Sequence, residues 1–306
     1  MRPSLAEAIL RTLLYADVFE YPLTIAELRR FLWRTRATTE EIREALSRDP
    51  VLTQRVILDP PYIAIVGSEA SFERRRERER ISAQMMHRAR RCAKWLAALP
   101  FVRMVALTGS LAVRNSRDSN EDIDYLIVTE SGRLWLARLG AVLLVHLGRL
   151  RRVRICPNFL LSCKALELPE RSLFAAHELA QMYPFYGWDI YEKMLTLNEW
   201  AQSYLPNGFD PPRLDGNETL PWLLRLLKRL GERLLAGSLG DALERWEMKR
   251  KIARLEARAA CVGTGAARFD RDCCKGHMSD YGARIREAYA QRLQEAGLAP
   301  EDSAGR

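Results

Sequence analysis

No stretch of the 306-residue chain offers the roughly 20 uninterrupted apolar residues that a helix needs to cross a bilayer. The most apolar segment, Leu134 to Leu150, contains Arg138, His146 and Arg149 and is expected to form a buried helix. The first residues lack the unbroken hydrophobic run of a secretory leader, because Glu7 and Asp17 fall inside their apolar pattern. The expectation is therefore a cytoplasmic chain with no membrane partner. Paired CxxC spacing is also absent. The six cysteines, Cys92, Cys156, Cys163, Cys261, Cys273 and Cys274, are expected as reduced thiols. The segment CCKGH brings Cys273, Cys274 and His277 close together, but three zinc-type ligands without a fourth do not make a zinc site the expectation. Internal repeats and long low-complexity tracts are missing as well.

The composition that is present, 48% hydrophobic and 28% charged, suits a globular protein of two or three domains rather than a disordered one. A net charge of +9 and a pI near 9.4 allow attraction to nucleic acid or another polyanion without naming the partner.

Residues 1–68 read as helices followed by a hairpin. Leu5, Ala8, Ile9, Leu13 and Leu14 recur at helical spacing, Pro22 breaks the pattern, and Thr24 caps a second helix. Thr38 or Thr39 caps a third, with Glu40 and Glu41 in its first turn, where the helix dipole favours acids. Two β-rich runs divided by Asp59-Pro60-Pro61 then form the hairpin. From about Ser4 to Gly67 this order resembles a winged helix-turn-helix domain, which implies DNA contact through the third helix. That helix carries Glu40, Glu41 and Glu44 beside Arg43 and Arg48, so any nucleic-acid binding is expected to be weak, and a structural or docking role is the alternative.

Residues 69–100 are expected as one connecting helix. Its first half, SFERRRERER, mixes signs at close spacing and reads as a solvated face with i,i+4 pairs, and its second half carries an apolar stripe through Ile81, Met85, Cys92, Leu96 and Leu99. Residues 101–168 change to strand, turn, strand, helix, strand: FVRMVAL, DIDYLIVT, a helix over 132–150, and RVRICPNFLLS. Residues 169–306 read as a helical domain, with helices expected at 172–182, 188–205, 221–235, 241–260 and 279–296 around a loop, PNGFDPPRLDGNE.

The core carries the chemistry. Side chains alternate along a strand, so Asp122 and Asp124 share one face while Ile123 and Tyr125 take the other. Two carboxylates a pleat apart repel, and a divalent cation with a preference for hard oxygen ligands, magnesium or manganese, relieves that repulsion. An edge strand with acids facing water is the plainer alternative. Upstream, Gly109-Ser110 ends the first strand, where glycine lets backbone approach a phosphate and the Ser hydroxyl can donate to it. Eleven residues lie between Ser110 and Asp122.

An apolar strand, Gly-Ser, about a dozen residues and then Asp-apolar-Asp, running from Val102 to Val128, resembles the signature of the DNA polymerase β-like nucleotidyltransferase superfamily. The resemblance implies an α+β fold, a small mixed-sheet nucleotidyltransferase core flanked by the winged-helix-like and C-terminal helical domains. It also implies that Gly109 and Ser110 hold a nucleoside triphosphate, that Asp122 and Asp124 bind Mg2+ or Mn2+, and that a nucleotidyl group passes to a hydroxyl acceptor with release of pyrophosphate. Nothing in the sequence identifies the acceptor. Arg114 and Arg117, between the two motifs, could touch phosphate, although loop arginines are ordinarily solvated. The family carries a third carboxylate on the following strand. RVRICPNFLLS has none, and Asn158 is the candidate third metal ligand at its middle.

His177 and Glu178 fall on an apolar helix where structural roles are the ordinary ones, and Tyr183 or Tyr186 could stack on a base. Two other readings stand beside the enzyme: a DNA-binding regulator whose core senses a nucleotide, and an antitoxin-like or scaffold protein that keeps the fold without turnover.

Overall fold

The computed structural model describes residues 3–150, 152–209, 219–262, 268–275 and 281–300. It combines α and β structure, with one antiparallel and one mixed sheet.

The N-terminal elements are helix α1 (Leu5–Asp17), strand β1 (Leu23–Thr24), α2 (Ile25–Arg30), α3 (Thr39–Arg48), α4 (Pro50–Arg55), β2 (Val56–Asp59) and β3 (Tyr62–Ile65). Their starts follow from local hydrogen bonding. Ser4 caps α1, while Thr24 with Glu27 and Thr38 with Glu41 close reciprocal capping boxes on α2 and α3. Helix α4 was not expected. Asp49 caps it by accepting from the N–H groups of Val51 and Leu52, and Pro50 occupies its first position, where no donor is missed. The strands form a sheet in the order β1-β3-β2, over a core that includes Ile9, Leu13, Leu28, Ile42 and Leu52.

Helix α5 (Ala70–Ala97) follows. Its charged half departs from the expected solvated face, because Arg75 and Arg78 are buried. Arg75 pairs with Glu27 at 3.0 Å and Glu79 at 2.8 Å, and its guanidinium lies 4.1 Å from the Tyr21 ring centroid. Arg78 pairs with Glu20 at 2.7 Å. Acids supplied from α2 and from the turn after α1 make that burial tolerable, since a buried charge needs a partner.

The larger sheet contains β4 (Val102–Leu107), β5 (Ile123–Thr129) and β6 (Ile155–Ser162), with a short helix α6 (Gly109–Ala112) after β4 and α7 (Leu134–Leu150) before β6. Then come α8 (Leu173–Gln181), β7 (Tyr183–Tyr186), α9 (Trp188–Leu197), a 3₁₀ turn at Glu199–Ser203, α10 (Trp222–Leu235), α11 (Ser238–Val262), β8 (Arg268–Phe269), β9 (Cys273–Lys275) and α12 (Tyr281–Glu295). The strand order is β7-β4-β5-β6-β9-β8, antiparallel except for the parallel pair β5 and β6. The C-terminal segment is thus not helical throughout, because β7 extends one edge of the sheet and β8 and β9 the other. These strands are two to four residues long and carry too little alternation to announce themselves. Most of the loop PNGFDPPRLDGNE falls outside the described residues, as does His277 of CCKGH.

Each face of the sheet has its own core. Val105, Leu107, Ile123, Tyr125 and Ile127 pack with α5 and α7, whereas Met104, Leu126 and Val128 pack with α8 and α12. Helix α7 is buried along Leu134, Trp135, Ala137 and Ala141 only, and Leu139, Leu143, Leu147 and Leu150 are exposed on its other side. The expectation of a buried helix therefore holds for one face. Among the described residues no helix is long and apolar enough to cross a membrane.

Candidate functional site

Strands β4 and β5 run antiparallel with Leu107 opposite Tyr125, so the turn that leaves β4 lies beside the start of β5. The Thr108 N–H donates to the Asp124 carbonyl at 3.0 Å and fixes that approach. Gly109 sits in the left-handed region at φ +70°, and a Cβ placed there would lie 2.7 Å from Asp124 Oδ2. Both facts require glycine: the backbone conformation, and the carboxylate pressed against the position a side chain would occupy.

Asp122 and Asp124 differ in setting. Asp122 directly precedes β5, is exposed, and receives the Arg154 Nε at 2.8 Å. Asp124 is half-buried on the face opposite Ile123 and Tyr125, and it accepts from the Cys156 thiol. Burial pushes that thiol up to about 12, with the charge of Asp124 adding to the effect. The ladder pairs Asp124 with Cys156 and Tyr125 with Pro157, then resumes at Leu126 with Phe159. Asn158 therefore falls at the irregularity, and Cys156 is the residue directly across from Asp124.

The Ser110 hydroxyl donates to Glu121 Oε2 at 3.0 Å. Arg114 and Arg117 are both exposed. Arg114 has φ +57°, and its carbonyl accepts from Arg75 Nη1 at 3.0 Å, while Arg117 acts electrostatically on Glu20 and Tyr281. The loop that leaves α6 is held from outside the core. Tyr21 donates to the Val113 carbonyl at 2.7 Å, Arg78 to Asn115 Oδ1 at 3.2 Å, and the Ser116 N–H to Ser82 Oγ at 3.1 Å.

Helix α8 supplies a further carboxyl, Glu178, for which the sequence suggests only an ordinary structural role. Glu178 is pushed up to about 7, by burial first, with the charges of Asp124 and Glu170 contributing to the rise and Lys275 on β9 opposing it. Glu178 is thus within electrostatic reach of Asp124 from the helix that covers that face. A glutamate inside the apolar run LFAAHELAQM was the available signal. Its neighbour His177 is structural. Its ring stacks on Tyr15 at 4.2 Å, and burial pulls it down to about 3. Tyr183 packs edge-on against Phe185, and the Tyr186 hydroxyl lies 3.2 Å from the buried Lys228 Nζ.

Among the described residues no three His, Cys, Asp or Glu side chains gather into a group that could hold a metal ion. The donor chemistry nevertheless fits a hard cation, since Asp122 and Asp124 offer carboxylate oxygens and the lack of a side chain at Gly109 lets the turn approach Asp124 Oδ2. Compared with known proteins, the chain matches no protein-family model, no curated protein and no solved structure.

Proposed function

We propose that the chain is a metal-dependent nucleotidyltransferase that moves a nucleoside monophosphate from a nucleoside triphosphate to a hydroxyl acceptor and releases pyrophosphate. One observation carries this reading: the Gly109 turn and the Asp124 carboxylate meet across β4 and β5 so closely that a Cβ would lie 2.7 Å from Oδ2. A phosphate-binding turn and a metal-binding acid must be neighbours for this chemistry, and these are 15 positions apart in the chain. Bound magnesium or manganese would screen the phosphate charge that develops during transfer.

The chain's own groups divide the remaining work. Gly109 admits the triphosphate to the backbone, and Ser110 turns its hydroxyl from Glu121 to a phosphate oxygen. Asp122 and Asp124 would hold the cation, with Arg154 released from Asp122 to balance charge on the phosphates. Glu178, ionised in part near neutral pH, is suited to accept the acceptor's hydroxyl proton as the new P–O bond forms and the bond to the pyrophosphate oxygen breaks. Gly109→Ala tests the turn. Its left-handed backbone costs about 1–2 kcal/mol for an L side chain, and the added methyl displaces Asp124, so triphosphate binding should fall while circular dichroism stays native.

A nucleotide-sensing regulator is the second reading. It is favoured by the grip of Tyr21, Arg75 and Arg78 on residues 113–115, which joins the N-terminal elements to the loop beside the site. Incubation of the protein and a lysate with each labelled triphosphate and magnesium separates the two. Label transferred to RNA, protein or a small molecule supports the enzyme and reveals the acceptor class. Tight triphosphate binding without pyrophosphate release supports the regulator.

A further inference from the structure

Helix α10 is docked by its polar side. Lys228 is buried and its Nζ donates to the Ala97 carbonyl at 2.9 Å and to that of Val102 at 2.5 Å, while Glu232 accepts from the Phe101 N–H at 2.9 Å and pairs with Arg103 at 2.6 Å. Gly231 lies against Pro100, where a Cβ would come within 2.6 Å of Cγ. The apolar side is left facing water: Trp222, Leu223, Leu226, Leu227, Leu230 and Leu234 are between 44% and 76% exposed. At 100° per residue these six occupy one continuous arc, and Arg225, Arg229 and Arg233, all exposed, form a stripe along one flank of it. Glu232 is the helix's only acid, and it is turned inward.

We propose that this face of α10 docks on an anionic lipid surface, with the leucines and Trp222 entering the boundary between headgroups and acyl chains and the arginines meeting lipid phosphates. The chemistry of the face selects this occupant. A nucleic-acid backbone would pair with the arginines but leave six large apolar side chains in water. A second copy of the chain would bury the leucines, yet bring another arginine stripe to a helix with no exposed acid to receive it. An anionic bilayer satisfies both halves at once, as expected for a basic amphipathic helix lying in the interface plane. The expectation of no membrane partner rested on the lack of a spanning segment. A 14-residue helix lying on a surface needs no span, and the inference is independent of the nucleotidyltransferase reading.

The test is co-sedimentation of the full chain with vesicles of phosphatidylcholine alone and of phosphatidylcholine mixed with phosphatidylglycerol, accompanied by light scattering without lipid. Binding is expected to the anionic vesicles only, and to weaken with salt. Arg225→Gln, Arg229→Gln and Arg233→Gln should each reduce it roughly fivefold, and Leu226→Ser with Leu230→Ser should abolish it, both sets leaving circular dichroism unchanged because all these side chains are exposed. Equal binding to both vesicle types, unaltered binding by the leucine variant, or no vesicle binding by a monomer would each overturn the proposal. So would dimerisation that the leucine variant abolishes while vesicles are ignored, which would assign the face to a second copy.

Discussion

In helix α5 the side chains most withdrawn from water include two arginines, whereas in helix α10 six large apolar side chains face it. Both helices are rich in arginine, but only α10 is turned against its own hydrophobicity, because in α5 the two arginines share the buried face with Phe72, Met85, Ala89 and Leu96. The difference lies in what the neighbouring elements offer. Around α5, Glu20, Glu27 and Glu79 stand ready to neutralise guanidinium groups, and the rings of Tyr21 and Tyr62 lie over Arg75 at 4.1 and 5.5 Å. Around α10, the carbonyls of Ala97 and Val102 and the Phe101 N–H at the mouth of β4 need polar partners, so Lys228 and Glu232 turn inward and the leucines are left outside. Which face of a helix is buried is decided by the groups that would otherwise go unsatisfied, as well as by its apolar stripe.

The burial of charge on α5 depends most on Arg75. Arg75→Met keeps the volume but strands Glu27 and Glu79 beside each other without a cation, and it should cost about 3–5 kcal/mol. Urea unfolding measures this, and a loss below about 1 kcal/mol would mean that the arginine contributes packing rather than charge.

A smaller effect is expected on α8, where adjacent side chains have opposite pH signatures. Glu178 is raised from 4.5 to about 7, so the folded protein holds this proton more tightly than the unfolded chain does. The associated stability is fully present below about pH 4.5 and is lost as pH rises through 7. Glu178→Gln, neutral throughout, should therefore gain on the parent between those values, by about 3 kcal/mol by pH 8. His177 behaves oppositely. Lowered from 6.5 to about 3, it contributes stability above pH 6.5 that is lost as pH falls toward 3. Thermal melts of the parent and Glu178→Gln across this range check the sign, and a difference that shrinks as pH rises would place Glu178 in a different environment.

The smallest effect belongs to the exposed side of the comparison. Leu226→Ser with Leu230→Ser should change stability by no more than about 0.5 kcal/mol. A large loss in urea would show that these leucines are covered in the free protein.

The legible parts of the sequence were those written locally. The three central strands, VRMVAL, IDYLIVT and ICPNFLLS, are apolar runs long enough to stand out, and the caps at Thr24 and Thr38 lie three residues from the glutamates that answer them. Gly109, Ser110, Asp122 and Asp124 could be selected because strand alternation and a turn glycine have local signatures. What the sequence hid was distant pairing. The acids that bury Arg75 and Arg78 come largely from other elements. Asn158 looked central to its strand, but Asp124 pairs with Cys156, and Asn158 falls at the irregularity that follows, between Pro157 and Phe159. Glu178 reaches Asp124 from 54 positions away, through helix packing that no spacing rule encodes.

Isothermal titration of parent and Asp124→Asn with ATP, GTP, CTP and UTP, each with and without magnesium, decides whether the Gly109 turn and Asp124 form a site for a metal-bound nucleoside triphosphate. The parent is expected to bind at least one triphosphate only when magnesium is present, and Asp124→Asn is expected to lose this binding at an unchanged melting temperature. A parent that binds none of them, or an Asp124→Asn variant that binds as the parent does, would contradict that expectation.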